Sequence, residues 1–266
     1  MYDFVQSLKL DRRPNGVMTI TIDTPPMNAI TKAQHTELVR LMETVNHDPD
    51  LKVIVLTGAG TRAFSAGGDI NDMKAALDPA ATPAMARMIH EAQKLIYAFI
   101  RCERPVIARV NGHAIGLGAS LALLCDLSYA ADTAKFADPH VAMGYVAADG
   151  GPVTWPFNIG FARAKEFLLT GDSIVAKEAA DWGLITRAVP VERLDEVVYG
   201  MADRLAGGAT QAINMTKISM NMVLRSIVES SIEGMVGMEL MSHVSEDHAE
   251  AVNAFIEKRK PNFTGR

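Results

Sequence analysis

The sequence predicts an α/β core followed by a helical C-terminal region. Strand-like and helix-like segments alternate through the first half of the chain, whereas the part beyond Gly160 reads mainly helical, with stops at Gly171, Gly183 and Gly207-Gly208. The chain has 266 residues, 48% of them hydrophobic and 21% charged, which is enough to bury a full core. Strand and helix units followed by a helical tail argue for a core over residues 1–200 and a helical region over 201–266. No flexible linker separates them, so the tail is expected to dock on the core or on a neighbouring subunit.

Val5 to Leu10 and Val17 to Ile22 read as strands across a Pro14-Asn15-Gly16 turn, an antiparallel hairpin. After Pro25-Pro26, Thr31 can cap a helix running to about Asn46, with Leu38, Leu41, Met42 and Val45 at helical spacing. Val53 to Gly58 is a continuous apolar run of the kind found in strands buried on both faces. A second unit follows: a helix from about Thr82 to Arg101, a buried strand from Pro105 to Val110, then a glycine loop and another helix. Asp126 to Ala130 reads as a third strand.

Composition removes several classes of function. A formal net charge of -5 gives no general attraction to nucleic acid or to an anionic membrane surface, so an anionic ligand must be held locally. Cys102 and Cys125 are too few for a disulfide framework and form no CxxC zinc pair, which fits a reducing, cytoplasmic compartment and no metal. The N-terminus lacks the apolar stretch of a secretion signal, and the glycine-rich run from Ala114 to Leu124 is about half of the ~20 residues that span a bilayer. The 15 methionines are scattered and read as core filler.

The chemistry-bearing signal is a pair of loops, each placed just after a strand. They are Phe64-Ser65-Ala66-Gly67-Gly68-Asp69-Ile70 and Asn111-Gly112-His113-Ala114-Ile115-Gly116-Leu117-Gly118. Ligands favour the carboxyl ends of strands in α/β sheets. Glycines allow peptide N–H groups to converge on one oxygen, helped by the helix that Gly118-Ala119-Ser120 opens. Neither loop matches GxxxxGK[ST] or GxGxxG, so phosphate-loop and dinucleotide readings fall away.

These residues also carry a family resemblance. FSAGGDI at 64–70 and NGHAIGLGASLALLCD at 111–126 resemble the two signatures of the enoyl-CoA hydratase (crotonase) superfamily. PPMNAI at 25–30, LLTGDSIVAKEAADWGLI at 168–185 and FIEKRKPNF at 255–263 resemble it too, so the likeness covers nearly the whole chain. It implies a crotonase-like spiral of ββα units with a C-terminal helical trimerisation region, assembled as a homotrimer or a dimer of trimers. It also implies an acyl-CoA substrate, with coenzyme A as part of that substrate and no separate cofactor. Carried over by position, the amides of Gly68 and Leu117 form an oxyanion hole for the thioester carbonyl. Met27, Ala29, Ala66, Asp69 and Ile70 line the CoA site, and Phe255 and Lys258 reach a neighbouring subunit's CoA. Asn71 stands where many members carry a lysine.

Water addition across an α,β double bond needs two proton-handling groups, which hydratases of the family supply as two glutamates. Here Ser120 and His140 occupy those positions, and Asp149 lies in a loop expected over the acyl carbons. The resulting expectation is hydratase/isomerase-type chemistry with Asp149 as acid/base and His140 assisting or orienting. Two alternatives are a thioesterase using Ser120 and His140, and a silent acyl-CoA-binding paralogue.

Overall fold

The computed structural model describes residues 1–78 and 82–266. Strands β1 (Leu8–Arg12) and β2 (Val17–Ile22) pair antiparallel, with Leu8 opposite Ile22 and Arg12 opposite Met18. The hairpin is the expected one, but β1 begins at Leu8 rather than Val5. The Glu37 carboxylate accepts the amides of Gln6, Ser7 and Leu8, holding the preceding residues against helix α1 (Lys32–Thr44) instead of in the sheet. Helix α1 starts where the sequence places it: Thr31 and Gln34 form a reciprocal capping box.

From there the chain winds as a spiral in which each turn gives one strand to each of two sheets. The first turn holds β3 (Val53–Gly58), β4 (Ala63–Ser65) and helices α2 (Ile70–Ala76) and α3 (Thr82–Arg101). The second holds β5 (Val106–Val110), β6 (His113–Ile115) and α4 (Leu117–Leu124). The third holds β7 (Leu127–Ala131), β8 (Lys135–Ala137), a 3-10 turn over His140–Met143, and helices α5 (Gly151–Ile159) and α6 (Phe161–Thr170). Strand β9 (Ser173–Val175), helix α7 (Ala176–Asp181) and strand β10 (Arg187–Val189) complete the winding. The larger sheet runs β1-β2-β3-β5-β7-β10 and the smaller one β4-β6-β8-β9.

All six residues of β3 are buried because both of its faces are covered. Ile54 and Leu56 join the main core with Leu38, Phe64, Phe99 and Trp155. Val53 and Val55 face a second core with Ile107 and Tyr129, closed by Leu194, Val198, Ala202 and Ala206 of helix α8 (Leu194–Ala206). Helices α9 (Thr210–His243) and α10 (Glu246–Glu257) end the chain. Buried Lys217 fastens α9 to the core, since its ammonium donates to the Arg104 carbonyl at 2.7 Å and lies 2.7 Å from the Asp126 carboxylate.

Candidate active site

Strands β4 and β6 pair in parallel, so the loops that leave their carboxyl ends emerge side by side. Gly67 has φ +90° and Gly116 has φ +54°, conformations that L side chains rarely adopt. A Cβ on Gly67 would fall 2.9 Å from the Ile115 carbonyl oxygen and 3.5 Å from the Leu117 nitrogen, so the two backbones meet with nothing between them. The Gly67 carbonyl accepts from Ile30 N–H at 2.8 Å and the Met27 carbonyl from Ala66 N–H at 3.0 Å, which ties in the segment carrying Met27 and Ala29. Leu117 is the first residue of α4, where an amide has no intrahelical acceptor and faces the positive end of the helix.

Beside these loops lies a buried polar chain. His140 opens the 3-10 turn and is 4% exposed; a Cβ on Gly116 would fall 3.8 Å from its Cε1 atom. Its Nδ1 meets Asp138 Oδ1 in a short hydrogen bond, and its Nε2 lies 3.3 Å from Asp149 Oδ2. Asp149 Oδ1 in turn accepts from the Ser120 hydroxyl at 3.0 Å. All four side chains are buried. Asp138 Oδ2 has no hydrogen-bond partner among the described residues and occupies the space a Cβ on Gly151 would need, at the N-terminus of α5.

The charges follow from these partners. Burial works against a charged His140, but Tyr145, Asp149 and Asp138 outweigh it and hold the ring's pKa well above the ordinary histidine value. Burial pushes the Tyr145 phenol up to about 12, so Tyr145 is neutral near physiological pH and the two carboxylates carry the effect. Burial likewise opposes charge on Asp149, yet His140 and Ser120 bring its pKa below the usual carboxylate value. Asp138 fixes Nδ1 as a donor, so one further proton is shared between His140 Nε2 and Asp149 Oδ2, and the couple titrates as a unit.

Asp138, His140 and Asp149 also bring three potential metal-ligand atoms within 4.8 Å of one another. In this structure those side chains are engaged with one another and, for Asp149, with Ser120. Ser120 donates to Asp149, so the serine–histidine pair of the thioesterase alternative is not formed here.

The other sequence-derived positions fall around this centre. Asp69 caps α2 by accepting the Asn71 amide at 2.7 Å, and Ile70 opens that helix. Phe255 and Lys258 stand exposed at the C-terminal end of α10, where Lys258 adopts the left-handed conformation. His113 accepts the Lys135 amide at Nδ1 and serves the join between β6 and β8. Sequence reasoning does not single out Asp138. The signal is its place two residues before His140, where Pro139 turns the carboxylate back onto the ring.

Comparison with known proteins places this geometry. The family model described as enoyl-CoA hydratase/isomerase matches residues 12–266. The 1,2-epoxyphenylacetyl-CoA isomerase of Escherichia coli is 32% identical over 94% of this chain and 96% of its own. The crystal structure of an enoyl-CoA hydratase/isomerase from Mycobacterium paratuberculosis superposes with a TM-score of 0.89 at 36% identity, over 95% of this chain and 99% of that one. A β-diketone hydrolase from the cyanobacterium Anabaena, bound to (S)-3-oxocyclohexyl acetic acid, gives a TM-score of 0.82 at 25% identity, over 90% of this chain and 94% of that one. With its spiral of paired strands and its two joined glycine loops, the chain belongs to the enoyl-CoA hydratase/isomerase family.

Proposed function

We propose that this chain is an acyl-CoA-processing enzyme that moves one proton at the acyl carbons through the His140–Asp149 couple. The observation that carries this reading is the buried contact of His140 Nε2 with Asp149 Oδ2, 3.3 Å apart, set beside the joined glycine loops. The thioester carbonyl lies against the amides of Gly68 and Leu117, which stabilise the negative charge that develops on its oxygen as Cα gives up a proton. In the couple, the carboxylate accepts the substrate proton while the imidazolium supplies the compensating charge and returns a proton along the chain. Asp138 holds the ring in one tautomer. A single couple in place of two glutamates favours relocation of a double bond over addition of water. Met27, Ala29, Ala66, Asp69 and Ile70 take the CoA moiety, with Phe255 and Lys258 acting across an assembly of three copies. Coenzyme A enters only as part of the substrate.

Turnover of a 3-enoyl-CoA and of crotonyl-CoA tests the reading. Asp149→Asn is expected to lower kcat by roughly 10²–10⁴-fold with little change in KM, the usual contribution of a positioned acid/base. A folded Asp149→Asn with full activity would remove the carboxylate from the mechanism. A second reading, favoured by the likeness to the β-diketone hydrolase, has the same couple activate water against a β-carbonyl carbon, so that the Cα–Cβ bond breaks, the β-carbon leaves as a carboxylic acid, and the departing thioester enolate takes up a proton at Cα. Release of a carboxylic acid together with acetyl-CoA from a straight-chain 3-oxoacyl-CoA, without shift of a 3-enoyl bond, would select it.

A further inference from the structure

Behind His140, on the side formed by the C-terminal helices, lies a layer of rings. Tyr145 meets the His140 ring edge-on at 4.7 Å between centroids, stacks on His243 at 4.6 Å and 28°, and meets His248 edge-on at 5.1 Å. His243 and His248 contact each other at 4.7 Å. Tyr145 is 9% exposed and His248 1% exposed.

The hydrogen bonds of this layer have a definite direction. His248 Nδ1 lies 2.7 Å from the Met143 carbonyl oxygen, which can only accept, so Nδ1 carries the hydrogen. Burial keeps the His248 pKa below its ordinary value and the ring neutral, which leaves Nε2 bare as an acceptor. That atom lies 3.3 Å from His243 Nδ1, which must therefore donate. His243 Nε2 faces Glu239 Oε1 at 3.6 Å. The same helices grip the backbone on either side of Tyr145. The Ser242 hydroxyl accepts the Val146 amide at 3.0 Å, and Gly144, at φ +72°, is pressed so closely on Asp247 and His248 that a Cβ there would fall 2.7 Å from their backbone.

We propose that Tyr145 is a positioning residue for His140 and that the His243–His248 pair is the clamp that holds it. His140 stands between two acceptors, Asp138 and Asp149, and its ring plane must satisfy both. Rotation about its side-chain bonds loses one or the other. The edge-on Tyr145 ring fills the space through which it would rotate, and His243, oriented by His248 and Glu239, keeps Tyr145 upright. The groups facing the His140 layer are thus Asp138, Asp149 and Tyr145, with Glu239, His243 and His248 behind them, and His35 acts on Asp149 from α1.

The proposal rests on the acid/base role of His140, so its test has an arm that needs no turnover. The full chain, labelled with ¹⁵N-histidine, is titrated by NMR to follow the His140 ring, and kcat and KM are measured with crotonyl-CoA and a 3-enoyl-CoA. Tyr145→Leu frees the ring from its two carboxylates, so the His140 proton affinity falls by about tenfold, one pH unit. On the same reading kcat falls by about tenfold or more while KM stays within about twofold. Tyr145→Phe restores both, and His243→Ala reproduces the loss where His243→Phe, which keeps a stacked ring, does not. An unchanged His140 titration in Tyr145→Leu overturns the proposal, as does a Tyr145→Phe variant as impaired as Tyr145→Leu. Should Tyr145→Leu fail to fold, an unchanged His140 titration in His243→Ala overturns it equally. Wild type that turns over neither substrate counts against the acyl-CoA reading alone and leaves the titration arm standing.

Discussion

Ser120 is the residue whose meaning changes most between sequence and structure. At a glutamate position it offers a nucleophile by type, but its hydroxyl is spent on Asp149 Oδ1, 3.0 Å away in a buried setting. A hydrogen bond to a charged group contributes about 1.5–3 kcal/mol, and loss of the Ser120 donor raises the Asp149 pKa. The Asp149 pKa is below the usual carboxylate value, so the couple works above that pKa and fails as acid protonates Asp149. Ser120→Ala is therefore expected to move the acid limb of the kcat/KM profile upward in pH, with kcat at the optimum reduced by less than about tenfold. An unmoved acid limb would place the working charge elsewhere than Asp149. The sequence singles out His140 and Asp149 because they stand at or near positions that the family resemblance implies handle protons. Asp138 is not, because only the backbone turn at Pro139 decides that its carboxylate points at the ring.

Among elements, the long ones are the legible ones. The capping box at Thr31, the apolar run of β3 and the full length of α3 follow from caps and periodicity. Strands β4, β6, β8, β9 and β10 have three residues each, too few for an alternation to repeat. These include β4 and β6, whose pairing joins the two glycine loops, so the sequence names both loops without showing what holds them together. If the joined loops present amides to an oxyanion, backbone and side-chain changes must separate. Gly68→Pro deletes a donor and should lower kcat by about 10²–10³-fold, while Leu117→Ala keeps its amide and should be mild. Equal losses in two variants with wild-type circular dichroism would count against a backbone role at position 117.

At the scale of the whole molecule, α9, the Val244 that follows it and the end of α10 leave large apolar side chains exposed, including Met220, Met222, Val223, Met241 and Phe255. We infer that copies of the chain cover it, and light scattering at micromolar concentration should give three or six times the chain mass; a sharp monomer peak would sink the idea. How α9 is turned is set in part by Lys217, which anchors the helix to Asp126 and the Arg104 carbonyl. The clasp between Met143 and His248 joins residues 105 positions apart in the chain. The backbone around His140 is thus completed by helices that lie far downstream in the sequence. During translation the sheets and glycine loops are therefore made before the helices that clasp Met143 and stack on Tyr145, so the surroundings of His140 close only once α9 and α10 have been made and docked.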